Sequence, residues 1–385
     1  MLAVIPPIQD GSWQAELRAA LRTGDDLAAA GLIAPERAAE AERVRAVFDV
    51  QIPDSYLDAI AESGPADPVW RSAVPAAEEL IVRPEELGDP IADEAHTPVP
   101  GVTRRHRDRA LLKPTYACAV YCRFCFRRYA VGQGEETLRR SELEAALSYI
   151  AKTTELWEVI LTGGDPLVLS DGRLAEILDR LRAIEHVKVL RVHTRAPAVL
   201  PARVTDELAA LLAGPRTRPR KPVWVVLHVN HVRELTPAAE EAIDRLADRG
   251  VPLLNQSVLL RGVNDTVEAQ EALLRRLVEL RVKPYYLHHA DLARGTSHFR
   301  TTLEEGQELV RALRARVSGL CQPAYVLDLP GGHGKVPVGP ATVHREGGET
   351  WIEDASGRRH HYPPAVAADE DPEDSGAVAN GRSGR

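Results

Sequence analysis

Lysine is nearly missing from this chain. Of its 48 basic residues only six are lysines, at positions 113, 152, 188, 221, 283 and 335, and the rest are arginines. Where a positive charge suffices, the chain uses arginine. A retained lysine therefore points to chemistry that needs a neutral amine, which a guanidinium cannot supply. Long apolar runs are absent too: no window reaches the ~18 apolar residues of a membrane span. Excess positive charge is lacking, with a net charge of -8 and a pI near 5.9, which argues against a protein that coats nucleic acid. The opening MLAVIPPIQD has no basic segment and reaches Asp10 early, so the expectation is no secretory signal, a cytoplasmic location and no membrane partner. Thiols stay reduced there. There are only four cysteines, three of them within CAVYCRFC (118–125), which suits metal or redox chemistry rather than a disulfide framework. Phenylalanine is equally rare, and two of the four, Phe124 and Phe126, lie in that stretch.

What is present has a clear order. The 385 residues allow one large domain plus a smaller attachment. Residues 1–103 read as an N-terminal helical region of amphipathic stretches such as ERAAEAERVRAVFDV, broken at DPVW and TPVPG. From about 110 the pattern alternates. Strand-like runs occur at ALLKPTYA, WEVILT, VKVLRVH, PVWVVLHV, VPLLNQSVLL, KPYYLHH and PAYVLDL. Between most of them lie helical patterns: SELEAALSYIAK, GRLAEILDRLRAIE, TPAAEEAIDRLADRG, TVEAQEALLRRLVELRV and TLEEGQELVRALRARV. Strand and helix repeated about six times imply a parallel sheet covered by helices. In a barrel of such units, the active site lies where the strands end. The residues just past the strands are CAVYCRFC, GGDP, TRAP, HVNH, RGVND, HHAD and DLPGGHGK, which are repeatedly polar, Gly-rich and able to bind metal. Residues 341–364 alternate around Gly347-Gly348 and read as a strand pair, and 366–385 are too polar to pack and read as a disordered tail.

Cys118, Cys122 and Cys125 are spaced x3 and x2, and the fourth cysteine, Cys321, is far away in another loop. Structural zinc and ordinary four-iron clusters take four ligands. Three thiolates on a cluster leave one iron open to a small molecule. Phe124, Phe126 and Tyr121 would wall such a cluster off from water and tune its potential. A C-x3-C-x2-C motif with an aromatic before the last cysteine resembles the radical S-adenosylmethionine superfamily. The resemblance implies a 4Fe-4S cluster whose open iron chelates S-adenosylmethionine, and cleavage of that cofactor to a deoxyadenosyl radical. It also implies a partial (βα)6-type TIM-like barrel over 104–330, with a small C-terminal extension at 331–365. Gly163 and Gly164, after WEVILT, resemble the superfamily's glycine-rich segment near the methionine moiety.

GGHGK (331–335) is not a phosphate-binding P-loop, because Leu329 stands where that loop needs Gly and Val336 where it needs Ser or Thr. A lysine on a permissive backbone facing a barrel mouth suits imine formation with pyridoxal phosphate. The stretches DPVWRSAVPAAEEL, HTPVPGVTRRHRDRALL, CAVYCRFCFRR, TGGDPLVLSD, HTRAPAVLPARV, NQSVLLRGVND, HHADLARGTSHFRT and YVLDLPGGHGKVP resemble, in order, the lysine 2,3-aminomutase family. That resemblance implies pyridoxal 5'-phosphate on Lys335, its phosphate on Arg105, Arg109 and Gln256, and S-adenosylmethionine near His228 and Asn230. It implies an amino-acid substrate clamped at its carboxylate by Arg127 and at a distal ammonium by Asp291 and Asp328. Two such carboxylates repel until a cation arrives between them. It further implies an electron donor such as flavodoxin or ferredoxin. The family's clostridial-type zinc site lacks its cysteines here, since Thr266 follows Asp265 and no cysteine follows Cys321, so homo-oligomeric assembly stays open. The expected activity moves the α-amino group of L-lysine to the β-carbon. The alternatives are formation of β-lysine for elongation factor P modification, an aminomutase for another cationic amino acid, and an iron–sulfur electron-transfer or binding protein.

Overall fold

The structure, a computed structural model, describes residues 12–60, 64–133, 137–215, 221–354 and 356–363. It divides into two compact units, Met1–Pro340 and Ala341–Arg385. The tail expected over 366–385 lies outside the described residues.

The first unit is built on one nine-stranded sheet whose spatial order follows the chain. Its strands are β1 (Val102–Thr103), β2 (Arg109–Thr115), β3 (Glu158–Gly163), β4 (Val189–Thr194), β5 (Val223–His228), β6 (Leu253–Leu259), β7 (Lys283–His289), β8 (Ala324–Leu329) and β9 (Gly334–Pro337). Strands β2 to β8 run parallel, and β1 and β9 pair antiparallel at the two edges. Each parallel step is bridged by a helix: Arg140–Lys152, Asp171–Ala183, Asp206–Ala213, Pro237–Asp248, Val267–Glu279 and Leu303–Arg316. The result is the partial (βα)6-type barrel expected from the resemblance, with a seventh parallel strand in β8. Side-chain oxygens of Ser170, Thr205, Thr236, Thr266 and Thr302 cap the starts of five of these helices. Buried stripes such as Leu174, Ile177, Leu178 and Leu181 recur at helical spacing and pack on the sheet's outer face.

The helix Asp206–Ala213 has no counterpart among the helical patterns read above. Its sequence DELAALLA is too short and too uniformly apolar to show a polar face. Two strand irregularities have a covalent cause. Register shifts occur beside Pro114 in β2 and Pro284 in β7, because proline has no N–H to give the ladder.

Ahead of the barrel lie short helices, including Trp13–Ala19, Ala38–Arg45 and Pro68–Ala73. They share the main core through Leu27, Ile52, Tyr56 and Trp70. The buried Trp70 donates Nε1–H to Leu32 O at 2.7 Å, which satisfies the polar end of its ring. Among the described residues, no helix is long and apolar enough to cross a membrane.

The second unit carries β10 (Val343–Glu346), β11 (Glu349–Glu353) and β12 (Arg359–His361). They form an antiparallel sheet of three strands, so the expected pair gains a third member. Gly347 and Gly348 make the β10–β11 turn with φ of 60° and 89°, a conformation that favours glycine at both positions.

Candidate active site

Side chains alternate along the barrel strands, so one set faces the helices and the other faces inward. The inward set lines a cavity of about 680 Å³. Of the residues expected to bind cluster, cofactor or substrate, all but Asn230 line it: the three cysteines, Gly163 and Gly164, His228 and Gln256, Arg105, Arg109 and Arg127, and Asp291, Asp328 and Lys335. The cavity is deeper than the strand-end rule implies. It reaches Arg109, Glu158 and Ala324, the first residues of β2, β3 and β8.

The cysteines follow β2, where Thr115 and the Thr137 segment bridge and the chain turns over the barrel mouth. Burial pushes the Cys118 thiol well up, and burial with the neighbouring Cys122 sulfur pushes Cys125 to about 11. Coordination to a metal removes that penalty by deprotonating the thiol. Among the described residues, no group of three or more His, Cys, Asp or Glu side chains is arranged to hold a metal ion. A lone zinc needs all donors at about 2.0–2.3 Å from one point, whereas in a cluster each thiolate takes a different iron and the sulfurs stand further apart. Three free thiols on one cavity wall, with no fourth, fit the cluster. Phe124 and Phe126 help wall this region as expected, but Tyr121 does not line the cavity. Phe124 instead packs at 5.6 Å from the His228 ring and edge-on at 6.3 Å from Phe299.

Arg195, from TRAP, is a residue the sequence reading passed over. It donates Nη1–H to Cys122 Sγ at 2.7 Å and Nη2–H to the Tyr56 hydroxyl at 3.0 Å. The buried Glu234 neutralises it. Glu234 also accepts from the Tyr56 hydroxyl at 3.1 Å and from the backbone N–H of Asn230 at 2.8 Å. Asn230 itself sits behind the cavity wall, fully buried, and its Oδ1 accepts from the backbone of Val258 at 2.8 Å. Its place is in the frame between β5 and β6 rather than on the cavity.

GGDP is explained by the chain's own crossing. A Cβ on Gly164 would lie 2.2 Å from Ala117 O, and one on Gly163 would lie 2.7 Å from Thr115 O at a φ of 111°. The backbone entering the cysteine loop occupies that space. Asp165 then ties three loops together: its backbone N–H donates to Ala117 O at 2.8 Å. Its carboxylate accepts from Thr194 Oγ1, the Arg195 backbone and the Leu167 backbone at 2.8–3.0 Å. Gly164→Ala is expected to push the cysteine loop outward and to lower the iron content of reconstituted protein. Overpacking of this kind costs about 1–3 kcal/mol. Iron analysis and thermal melting check it, and wild-type iron with an unchanged melting temperature would contradict it.

The anion side of the cavity is organised by another residue absent from the reading, Asp93. Its Oδ2 accepts from Arg127 Nε at 2.8 Å and lies 3.7 Å from Lys113 Nζ, and its Oδ1 is 3.8 Å from Arg105. One buried carboxylate thus faces three cations. Arg127 is held through Nε, which leaves the forked end of its guanidinium for a ligand carboxylate. Lys113 is buried, and the loss of hydration lowers it to about 8.

Lys335 proves to lie on a strand, not in a loop. In the β8–β9 register it stands opposite Asp328, and the two form an ion pair. His288 Nδ1 is 3.3 Å from Lys335 Nζ, and the Tyr286 ring centroid is 5.5 Å from it. Asp328 is held far below the usual carboxylate range by the neighbouring His288 and by its ion pair with Lys335, which together outweigh its burial. Asp291 goes the other way: burial, with Asp328 adding repulsion, raises it to about 7. Three histidines of the cavity wall, His193, His228 and His288, have a buried Nε2 without a protein partner among the described residues. An amine and arginines for a phosphate on one cavity, with unpartnered imidazole nitrogens in its wall, fit pyridoxal phosphate. Cys321, by contrast, is buried among Leu274, Leu309 and Tyr325 in a separate apolar cluster.

The chain is similar to known proteins over most of its length. Residues 112–274 match the Radical SAM superfamily. The L-lysine 2,3-aminomutase of Acetoanaerobium sticklandii is 40% identical over 86% of this chain and 79% of its own length. That of Clostridium subterminale is 44% identical over 75% of this chain and 68% of its own. A glutamate 2,3-aminomutase of Clostridioides difficile is 37% identical over 76% and 68%. A cysteine triad and a lysine strand on one cavity, in a chain this similar to those enzymes, lead to one conclusion: the protein belongs to the lysine 2,3-aminomutase family of the radical SAM superfamily.

Proposed function

We propose that this chain is an isomerase that moves the α-amino group of L-lysine to the β-carbon, giving L-β-lysine. The observation that carries the choice of lysine is the pair Asp291 and Asp328 on the cavity wall beside Lys335. A glutamate side chain there would add a third negative group, whereas a distal ammonium offsets both the burial and the Asp328 repulsion that raise Asp291.

Three cofactors serve the family reaction: the 4Fe-4S cluster, S-adenosylmethionine and pyridoxal phosphate. Bound, they supply a deoxyadenosyl radical that takes a hydrogen from the substrate and a conjugated ring that spreads the unpaired electron. The rest falls to this chain's residues. Cys118, Cys122 and Cys125 would hold the cluster, Arg105, Arg109 and Gln256 the phosphate, and Lys335 the aldehyde carbon. Arg127 binds the substrate carboxylate and Asp93 keeps its fork pointed inward. Asp291 and Asp328 set the distance from that carboxylate to the far ammonium, so the two reacting carbons lie along a fixed line between them. The apolar and aromatic wall, including Phe124 and Val258, excludes water from the radical.

Incubation under anaerobic reducing conditions with S-adenosylmethionine and, in turn, lysine, arginine and glutamate tests the reading. A β-amino product from lysine alone is expected, and product from glutamate but not lysine would overturn it. The charge state of Asp291 adds a pH signature. Below about 7 it is neutral and above about 7 it is charged, and the ammonium binds the charged form. The KM for lysine should therefore fall by about ten-fold between pH 6 and pH 8, and Asp291→Asn should flatten the profile.

A further inference from the structure

Of the three cavity imidazoles with an unpartnered Nε2, His288 alone has a ring nitrogen in hydrogen-bond contact with Lys335 among the described residues. Its Nδ1 lies 3.3 Å from Lys335 Nζ and 3.6 Å from Asp328 Oδ2. Alternation along β7 turns His288 inward, and the Tyr286 ring, 5.5 Å away and edge-on, steadies it. His289 turns outward and bonds the Tyr325 hydroxyl at 2.7 Å. The contact with Lys335 is set by strand pairing: β7 lies on β8 with His288 opposite Val326, and β8 lies on β9 with Asp328 opposite Lys335. An imidazole on the cavity wall with one nitrogen on the reactive amine and the other without a protein partner among the described residues is built to pass a proton.

We propose that His288 is the catalytic proton carrier for amine exchange at Lys335, taking a proton from the incoming α-ammonium and giving one to the departing lysine amine. This rests on the reading that Lys335 holds the pyridoxal aldehyde carbon. The exchange balances as follows. The substrate arrives as an ammonium and gives one proton to His288. Its nitrogen bonds to the aldehyde carbon, the bond from that carbon to Lys335 Nζ breaks, and the two remaining hydrogens pass to Nζ. His288 then returns its proton, so three hydrogens leave the substrate nitrogen and three arrive on Lys335. No electron is gained or lost.

The neighbouring groups favour His288 for this task. Asp328 touches Lys335 but is too weak a base, since its carboxyl is held far below the ordinary range. Burial and the Lys335 charge keep the His288 ring in its neutral, proton-accepting form. His193 and His228 are likewise buried and neutral.

The test uses holoprotein loaded with cluster and pyridoxal phosphate but given no S-adenosylmethionine, so that no radical forms. Rapid anaerobic mixing with L-lysine is followed by the change in cofactor absorbance. His288→Gln should slow that change by on the order of 10²-fold, with cofactor content and final amplitude little altered. His288→Ala should be slow and regain rate with added imidazole. A wild-type rate in His288→Gln, an alanine variant that ignores imidazole, or slowing by Asp291→Asn in place of His288→Gln would each overturn the proposal. If the wild-type protein shows no change with lysine, the substrate reading falls instead. The carrier role is then read from the rate at which cofactor-free protein takes up pyridoxal phosphate. Lys335 must lose a proton there too, and the same two variants should be slow.

Discussion

Lys335→Ala is expected to abolish isomerisation and the visible band of bound pyridoxal phosphate while leaving the iron–sulfur chromophore intact. The loss should be on the order of 10⁶-fold or more, the lower end of what enzymes add to an uncatalysed reaction. Lys335 lies on β9 and is partly exposed to the cavity, so its truncation removes an amine without opening the core. The cysteine loop belongs to the far side of the sheet order, after β2, and should still take up iron. Asp328 loses its ion-pair partner and keeps only the His288 contact among the described residues. Its carboxyl should therefore rise from its depressed position, and the variant should bind lysine more weakly at low pH. Absorbance, iron analysis and product analysis together check the result. A variant that keeps the pyridoxal band would remove Lys335 from the mechanism.

Cys122→Ala should do the reverse: no cluster, no radical, but near-normal pyridoxal loading. Its effect on activity should be of the same order. Without Cys122, a second iron of the cluster loses its protein ligand. A second consequence follows from Arg195. That guanidinium donates to Cys122 Sγ, and its other terminal nitrogen meets Glu234 and Tyr56. Removing the sulfur strands one buried donor, which costs about 1–3 kcal/mol. The variant should thus be less stable even in iron-free protein, while Cys125→Ala, which leaves the Arg195 pair untouched, should cost less. Thermal melts of the iron-free proteins separate the two. Equal melting temperatures for both variants would show that the Arg195 contact carries no weight, and a full cluster in Cys122→Ala would sink the triad itself.

The parts of the site that were legible in the sequence share one property: their meaning lies in local spacing. The x3, x2 cysteine motif can hold one cluster wherever the loop is placed. The seven strand runs and five of the six crossover helices announce themselves by periods of 2 and 3.6. The helix Asp206–Ala213 did not, because eight mostly apolar residues have no face to contrast. Lys335 stood out because so few lysines survive among the arginines, though its strand did not, since GKVP is too short to show alternation.

Asp93, Arg195 and His288 were not legible as site residues. Each acts through partners distant in the chain: Asp93 through Arg127, Arg195 through Cys122, His288 through Lys335. A lone Asp, Arg or His in a loop or strand carries no local signal of what it will face. The same holds for Asn230, expected from the resemblance near a cofactor, whose burial and bond to the Val258 backbone no local pattern announced.

By itself, then, the sequence determined the chemical inventory: three thiols in one loop, a scarce amine, an alternating parallel architecture. Only the tertiary structure decided which groups meet, that Asp328 stands opposite Lys335 and that one carboxylate serves three cations. The reason is physical. Periodicity and ligand spacing are properties of neighbouring residues, whereas charge pairing and proton transfer depend on distances of about 3 Å between strands far apart in the chain, and these exist only once the sheet has registered.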